Sequence, residues 1–331
     1  MELNKNTIPV TIITGFLGSG KTTLLNNIIS KYQDRKFAVI ENEFGDIGID
    51  GGLIVEDAKN IFELSNGCIC CSLQGDFLET INTLLDSSLK FDHLLIETTG
   101  IADPDSVVSM FISSEELQKR FIIDSVICVA DAVNIEDFID EQREVRKQIA
   151  LSDHVLINKA DSVHQAYIKD LFELIRKINP VAKCDAVSYS NISSISILDN
   201  FSFTGKSIEK TTTDFPLVSG ITLDTQRLLN THDISSEAFI LKGDIALEKF
   251  ETWMSGFLFF NSHNIFRIKG ILSTSNSNIQ SIFQAVKNSY KLEEGKIWSK
   301  EERYSKFVFI GKHLDRQMIE NSLAELVITN E

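Results

Sequence analysis

Close to its start the chain runs Gly15-Phe16-Leu17-Gly18-Ser19-Gly20-Lys21-Thr22, eight residues that fit the spacing G-x-x-x-x-G-K-[ST]. An apolar strand candidate, Val10–Thr14, leads into them, and a helical pattern, Thr22–Ser30, leads out. Glycines at these positions let the backbone wrap so that successive N–H groups point inward at phosphate oxygens. The helix that follows adds its positive N-terminal end. Lys21 is expected to reach the β- and γ-phosphates, and the Thr22 hydroxyl to sit on Mg²⁺. A chance glycine-rich turn could match the spacing, but it would have no reason to lie between a strand and a helix. The candidate phosphate-binding residues are therefore Gly18, Ser19, Gly20, Lys21, Thr22 and Thr23.

That beginning sets the frame for the first 190 residues or so. Phe37–Ile40, His93–Ile96, Ser125–Ala130, His154–Ile157 and Val181–Val187 are short, almost continuously apolar runs. Such runs are expected of parallel strands buried on both faces. Helical patterns separate them: Leu73–Leu85, Ile135–Leu151 and Gln165–Ile178, the last with Leu171, Leu174, Ile175 and Ile178 on one stripe. The expected architecture is an α/β, doubly wound, mostly parallel sheet. From Phe203 to Asn230 the periodicity fades into Thr, Ser, Lys and Asp, which reads as a linker. Beyond it, Glu237–Leu241, Ile265–Leu272 and Phe307–Ile310 read as strands and Leu247–Phe259 as a helix. Asp315 is placed to cap a last helix carrying Met318, Ile319, Leu323 and Leu326. The expected division is a nucleotide domain over 1–203, a linker over 204–230 and a smaller α+β domain over 231–331.

Two further motifs stand at strand ends. Asn158-Lys159-Ala160-Asp161 follows the run His154–Ile157 directly. The Asp161 carboxylate can accept from N1–H and the exocyclic amine of guanine, whereas adenine would set a bare acceptor against it. Selection of this kind discriminates by about 10⁴ or more. Asn158 would brace the loop and the Lys159 stem would cover the base face. Glu97-Thr98-Thr99-Gly100 ends the run His93–Ile96. The acidic group can hold the Mg²⁺ shell, and the Gly100 N–H can meet the γ-phosphate, so together they sense whether that phosphate is present. An ATP-dependent kinase is disfavoured by Asp161, and no residue marks itself as the group that positions the attacking water.

Composition excludes other classes. The formal net charge of -15 is a poor match for a nucleic-acid binder, which needs a basic face. No run of about 18 uncharged apolar residues is present, so no membrane span is expected. Met1–Pro9 is polar and runs straight into a strand, unlike a secretory leader. Five cysteines, an odd count, argue against a disulfide framework and for a reducing, cytoplasmic setting.

Three of those cysteines crowd into Asn66-Gly67-Cys68-Ile69-Cys70-Cys71-Ser72, just ahead of the helical pattern at Leu73. A helix N-terminus favours the thiolate. Cys68, Cys70 and Cys71 can supply up to three soft ligands to Zn²⁺ or a similar ion, leaving one position open. An open site suits a metal that is handed on. A redox pair and plain buried cysteine are the other readings. Cys128 and Cys184 lie in apolar strands and read as small core residues. The six histidines are scattered and read as structural or solvated.

The ordered set GFLGSGKTTLLNNII, ENEFGDIGID, NGCICC, ETTGIADP and NKAD resembles the CobW-like GTPases, relatives of the GTPases that deliver nickel to urease and hydrogenase. FRIKGIL (266–272) and KFVFIG (306–311) resemble that family's second domain, so the likeness spans nearly the whole chain. The resemblance implies GTP binding by Gly18, Ser19, Gly20, Lys21, Thr22, Asn158, Lys159 and Asp161, with Mg²⁺ or switch roles for Glu97 and Gly100. It implies metal binding at Cys68, Cys70 and Cys71, the family's C-x-C-C motif. Glu41 and Asp46 match acidic positions that bind metal in related proteins; switch-loop polarity or a Mg²⁺ contact is the other reading. Unlike many members, the chain has no histidine-rich stretch, which speaks against bulk metal storage and a preference for nickel.

The function this implies is a GTP-hydrolysing metallochaperone that delivers a transition metal to a client protein. Zinc is favoured, with cobalt or iron as alternatives. A metal-independent GTP switch docking a partner through its second domain is the competing reading.

Overall fold

A computed structural model describes residues 7–43, 61–67, 81–86, 90–100, 104–204, 234–275, 277–298 and 303–328, with the backbone alone at 42–43 and 61–67. The first seven strands form one sheet: β1 (Ile8–Thr14), β2 (Phe37–Glu43), β3 (Ile61–Gly67), β4 (His93–Glu97), β5 (Phe121–Asp131), β6 (His154–Asn158) and β7 (Lys183–Ala186). Their order is β3-β2-β4-β1-β5-β6-β7, with every neighbouring pair parallel. Val10, Ile12 and Ile13 are fully buried, and burying each is worth roughly 1.5–3 kcal/mol, which is why the β1 run lacks polar alternation.

Helices cover both faces. α1 (Lys21–Lys31) packs Leu24, Leu25 and Ile28 on one of them, together with Val187, Ile192, Ile197 and Leu198. The other face takes α2 (described over residues 81–86), α3 (Pro104–Ser113), α4 (Glu115–Arg120), α5 (Ile135–Glu141), α6 (Arg143–Leu151) and α7 (Gln165–Ile178). The doubly wound sheet expected from the sequence is present.

Three local expectations are corrected. The stretch from Glu41 to Cys71, where no strand is expected, contains the edge strand β3, paired residue for residue with β2 from Phe37↔Ile61 to Glu43↔Gly67. Ile135–Leu151 is two helices, because Gln142 between them is extended at φ -116° and ψ 112°. The run Val181–Val187 forms a ladder only over Lys183–Ala186. The linker expected at 204–230 lies outside the described residues apart from Thr204. So does most of the helix expected at Leu73–Leu85.

The second sheet is antiparallel, in the order β11-β10-β9-β12-β8. It comprises β8 (Ile234–Lys242), β9 (Ile265–Leu272), β10 (Ile279–Val286), β11 (Ser289–Ile297) and β12 (Tyr304–Lys312). α8 (Leu247–Asn261) and α9 (Arg316–Ala324) cover one face through Phe250, Met254, Ile319 and Leu323. The Asp315 side chain accepts from the Met318 N–H at 2.9 Å, the cap expected for α9. On the opposite face Ile234, Phe266, Val286, Val308 and Ile310 join the core of the first domain.

Ionic contacts reinforce that seam. Asp153 Oδ1, ahead of β6, accepts from Arg267 at 2.5 Å and from Lys269 at 2.8 Å, and all three side chains are buried. Arg267 also donates to the Leu151 carbonyl and stacks over Phe203, 4.6 Å from the ring centroid. Lys287, in the β10–β11 turn, pairs with Asp105 of α3.

Candidate nucleotide and metal site

The candidate residues gather at the carboxyl ends of β1, β4 and β6, where an open parallel sheet leaves room between diverging connections. Gly15, Gly18 and Gly20 have φ of 138°, 71° and 107°. At Gly20 the requirement is doubly strict: a Cβ there would stand 2.4 Å from Asn158 Nδ2. Lys21 begins α1 and is buried, its ammonium donating to the Phe16 carbonyl at 3.2 Å across the loop. Ser19 is buried, and Thr23 is exposed on α1.

Thr22 and Glu97 meet. The Thr22 hydroxyl donates to Glu97 Oε1 at 3.0 Å, bringing two hard oxygen donors together beside the loop. That donor set fits Mg²⁺, which takes few protein oxygens and completes its shell with phosphate and water. Next to Glu97, Thr98 is tied to β1 by its N–H to Ile13 O at 2.9 Å and its hydroxyl to Thr14 Oγ1 at 3.0 Å. Gly100 then approaches the crest of the loop so closely that a Cβ would stand 2.5 Å from the Leu17 nitrogen.

Asn158 links the base motif to the phosphate loop. Its Nδ2 donates to Ser19 O at 2.8 Å, and its Oδ1 accepts from Ser190 N at 2.7 Å. Lys159 is left-handed at φ 60°, and its ammonium lies 2.8 Å from Asp131 Oδ2. Partial burial works against ionisation of Asp131, but Lys159, Asn134 and the Val133 N–H outweigh it and hold the carboxyl below its ordinary range. Asp161 is exposed, and its N–H donates to Ser188 Oγ at 3.2 Å.

The segment Ser188-Tyr189-Ser190 escaped the sequence reading. Tyr189 and Ser190 are both left-handed, at φ 54° and 50°, and Asn27 of α1 donates to both carbonyls, at 3.0 and 2.8 Å. Ser190 Oγ donates to Gly20 O at 3.0 Å. The signal that could have found it is position: it leaves the strand after N-K-x-D, at the same end of the sheet.

Glu41 is buried on β2 directly in register with Glu97 on β4, so the two carboxylates are neighbours on one face. Cys68, Cys70, Cys71 and Asp46 lie outside the described residues. Gly67, which precedes Cys68, is the last residue of β3 and pairs with Glu43. Among the described residues no group of three or more His, Cys, Asp or Glu is arranged to hold a metal. Cys128 is buried in β5 with its thiol pushed up to about 12 by desolvation, and burial raises Cys184 to about 11, so neither has thiolate character.

A phosphate loop after β1, an acidic β4 end in contact with the loop threonine and an N-K-x-D braced against the loop define a P-loop GTPase. Residues 9–185 match the nucleotide-binding domain of the CobW/HypB/UreG family, and residues 234–327 match the C-terminal domain of the cobalamin synthesis protein CobW. The chain belongs to the CobW family. It is 33% identical over 325 residues to the zinc chaperone YjiA of Escherichia coli (strain K12), covering 97% of this chain and 99% of that one. It is 29% identical over 368 residues to zinc-regulated GTPase metalloprotein activator 1 of Saccharomyces cerevisiae, covering 96% of this chain and 83% of that one. The crystal structure of Zn(II)-bound YjiA GTPase superposes with a TM-score of 0.70 at 29% identity, covering 98% of this chain and 100% of that one.

Proposed function

We propose that this chain is a GTP-hydrolysing metallochaperone that hands a transition metal, zinc before cobalt, to a client metalloprotein in the cytoplasm. In this reading Gly18, Ser19, Gly20, Lys21, Thr22 and Thr23 bind the phosphates, Glu97 and Gly100 respond to the third one with Mg²⁺, and Asn158, Lys159 and Asp161 select guanine. Cys68, Cys70 and Cys71 hold the metal, with Glu41 and Asp46 as further candidates. Residues 231–331 form a second domain that 204–230 joins to the first.

The observation that carries the metal part is topological. β3 ends at Gly67, in register with the C-terminal end of β2, and β2 itself lies in register with Glu97 on β4. The strand that the cysteine run follows in sequence therefore ends two strands from Glu97, the residue read as sensing phosphate. The names of the relatives, zinc chaperone and zinc-regulated GTPase metalloprotein activator, point the same way. The donor set supports it too, since three thiols favour a soft or borderline ion over Mg²⁺.

The test is retention of metal. Protein equilibrated with GTP at sub-micromolar free Zn²⁺ should keep zinc through gel filtration, and the Cys68/Cys70/Cys71→Ser variant should not. Wild-type protein emerging without metal would leave only a metal-independent GTP switch.

A further inference from the structure

The helix α6 sends one polar side chain to the phosphate-sensing segment. Gln148 is 1% exposed, among Val145, Ile149, Ala150 and Leu151 of the same helix. Packing alone would be served by Leu or Met there, and a primary amide is costly to bury unless it finds partners. Its Nε2 donates to the carbonyl of Gly100 at 3.1 Å. Gly100 is confined on the other side by the crest of the phosphate loop, where the Leu17 nitrogen leaves no room for a Cβ. Two residues earlier, Thr98 is pinned to Ile13 and Thr14 of β1. The segment Thr98–Gly100 is thus held at both ends, by β1 and by Gln148, with Thr99 between them buried.

A glycine has the widest conformational range of any residue, so an N–H carried by one points reproducibly only if its surroundings fix it. Holding the Gly100 carbonyl fixes the residue whose N–H is expected to meet the third phosphate. We propose that Gln148 is a positioning residue for GTP hydrolysis, orienting Gly100 toward the γ-phosphate without touching the nucleotide itself. This rests on the reading of the site as a GTPase. Because GDP lacks the third phosphate, the role of Gln148 is confined to GTP and to the transition state that follows it.

The experiment is steady-state GTP hydrolysis by the full chain, with separate titrations of GDP and a non-hydrolysable GTP analogue, for wild type and Gln148→Met. Methionine keeps the length and flexibility of the side chain and removes the donor. Loss of one oriented hydrogen bond should lower kcat about tenfold. Affinity for the GTP analogue should fall, while GDP affinity stays within about twofold and the thermal midpoint is unchanged. An unaltered kcat in folded Gln148→Met would overturn the proposal. So would equal losses of GDP and GTP-analogue affinity together with a lowered midpoint, which would mark Gln148 as structural. If Gln148→Met does not fold, Gln148→Asn, which withdraws the amide by one carbon, is read by the same criteria. Wild-type protein that fails to hydrolyse GTP would overturn the GTPase reading and the proposal together; wild-type hydrolysis with an unaltered variant overturns the proposal alone.

Discussion

The Thr22 hydroxyl donates to Glu97 Oε1 at 3.0 Å, tying the first turn of α1 to the end of β4. In the proposed reading one Mg²⁺ ligand would come from the phosphate loop and the other from the strand that leads to Gly100, so the same few residues would read cation and third phosphate. Glu97→Gln keeps an acceptor for Thr22 and removes the charge. It should raise the Mg²⁺ concentration needed for half-maximal hydrolysis and lower kcat by about 10- to 100-fold. GDP binding without Mg²⁺ should be unchanged. A Mg²⁺ titration of hydrolysis checks this, and a curve coincident with wild type would remove Glu97 from the cation site.

The proposed base selection rests on Asp161, whose own N–H donates to Ser188 Oγ. Asp161→Asn should therefore leave the loop folded, weaken GTP binding about 100-fold or more, and create affinity for xanthosine triphosphate. Competition titrations with the two nucleotides measure it. Wild-type protein that hydrolyses ATP as fast as GTP would refute the assignment.

The domain seam makes a prediction about stability. Against the cost of burial, the charges of Arg267 and Lys269 hold Asp153 below the ordinary carboxylate range. Asp153→Asn would leave two buried cations without a counter-charge and should cost about 3–5 kcal/mol. Lys269→Met leaves the Asp153–Arg267 pair intact and should cost little. Burial, and then the charge of Arg267, lowers Lys269 from 10.5 to about 8. Between those two pH values the unfolded chain binds the proton that the folded chain has released, so stability rises with pH there, by up to about 3 kcal/mol. Urea midpoints from pH 7 to 10.5 should show that rise in wild type and not in Lys269→Met.

What the sequence disclosed and what it hid follow from the same physics. β1, β4 and β6 were legible because strands buried on both faces are continuous apolar runs, and the motifs mark their ends. β3 was not: Ile-Phe-Glu-Leu-Ser-Asn-Gly is a short, mixed edge strand between a glycine-rich stretch and the cysteines. The break at Gln142 hid because helical residues continue on both sides. Its trace is the phase shift between Ile135/Ile139 and Val145/Ile149, each pair four apart but the two pairs out of step. The β10–β11 hairpin was missed because its turn, Lys287-Asn288, places a lysine at φ 52° where a glycine would have been the cue. At the site, the N-K-x-D and phosphate loops announced themselves by spacing. Ser190 and Asn27 brace them, and Gln148 braces Gly100 beside them, through side-chain hydrogen bonds that no spacing rule encodes.

If metal and nucleotide share one device, a linkage titration reveals it. If the cysteine run is coupled to Glu97 through β2 and β3, Zn²⁺ affinity must differ between protein bound to GDP and protein bound to a non-hydrolysable GTP analogue. By reciprocity, Zn²⁺ must change the affinity for the analogue relative to GDP by the same factor, about 5- to 150-fold. The Cys68/Cys70/Cys71→Ser variant should bind both nucleotides and show no such factor. A single Zn²⁺ affinity in both nucleotide states, or Zn²⁺ binding unchanged in the triple variant, would show that the two sites are not coupled.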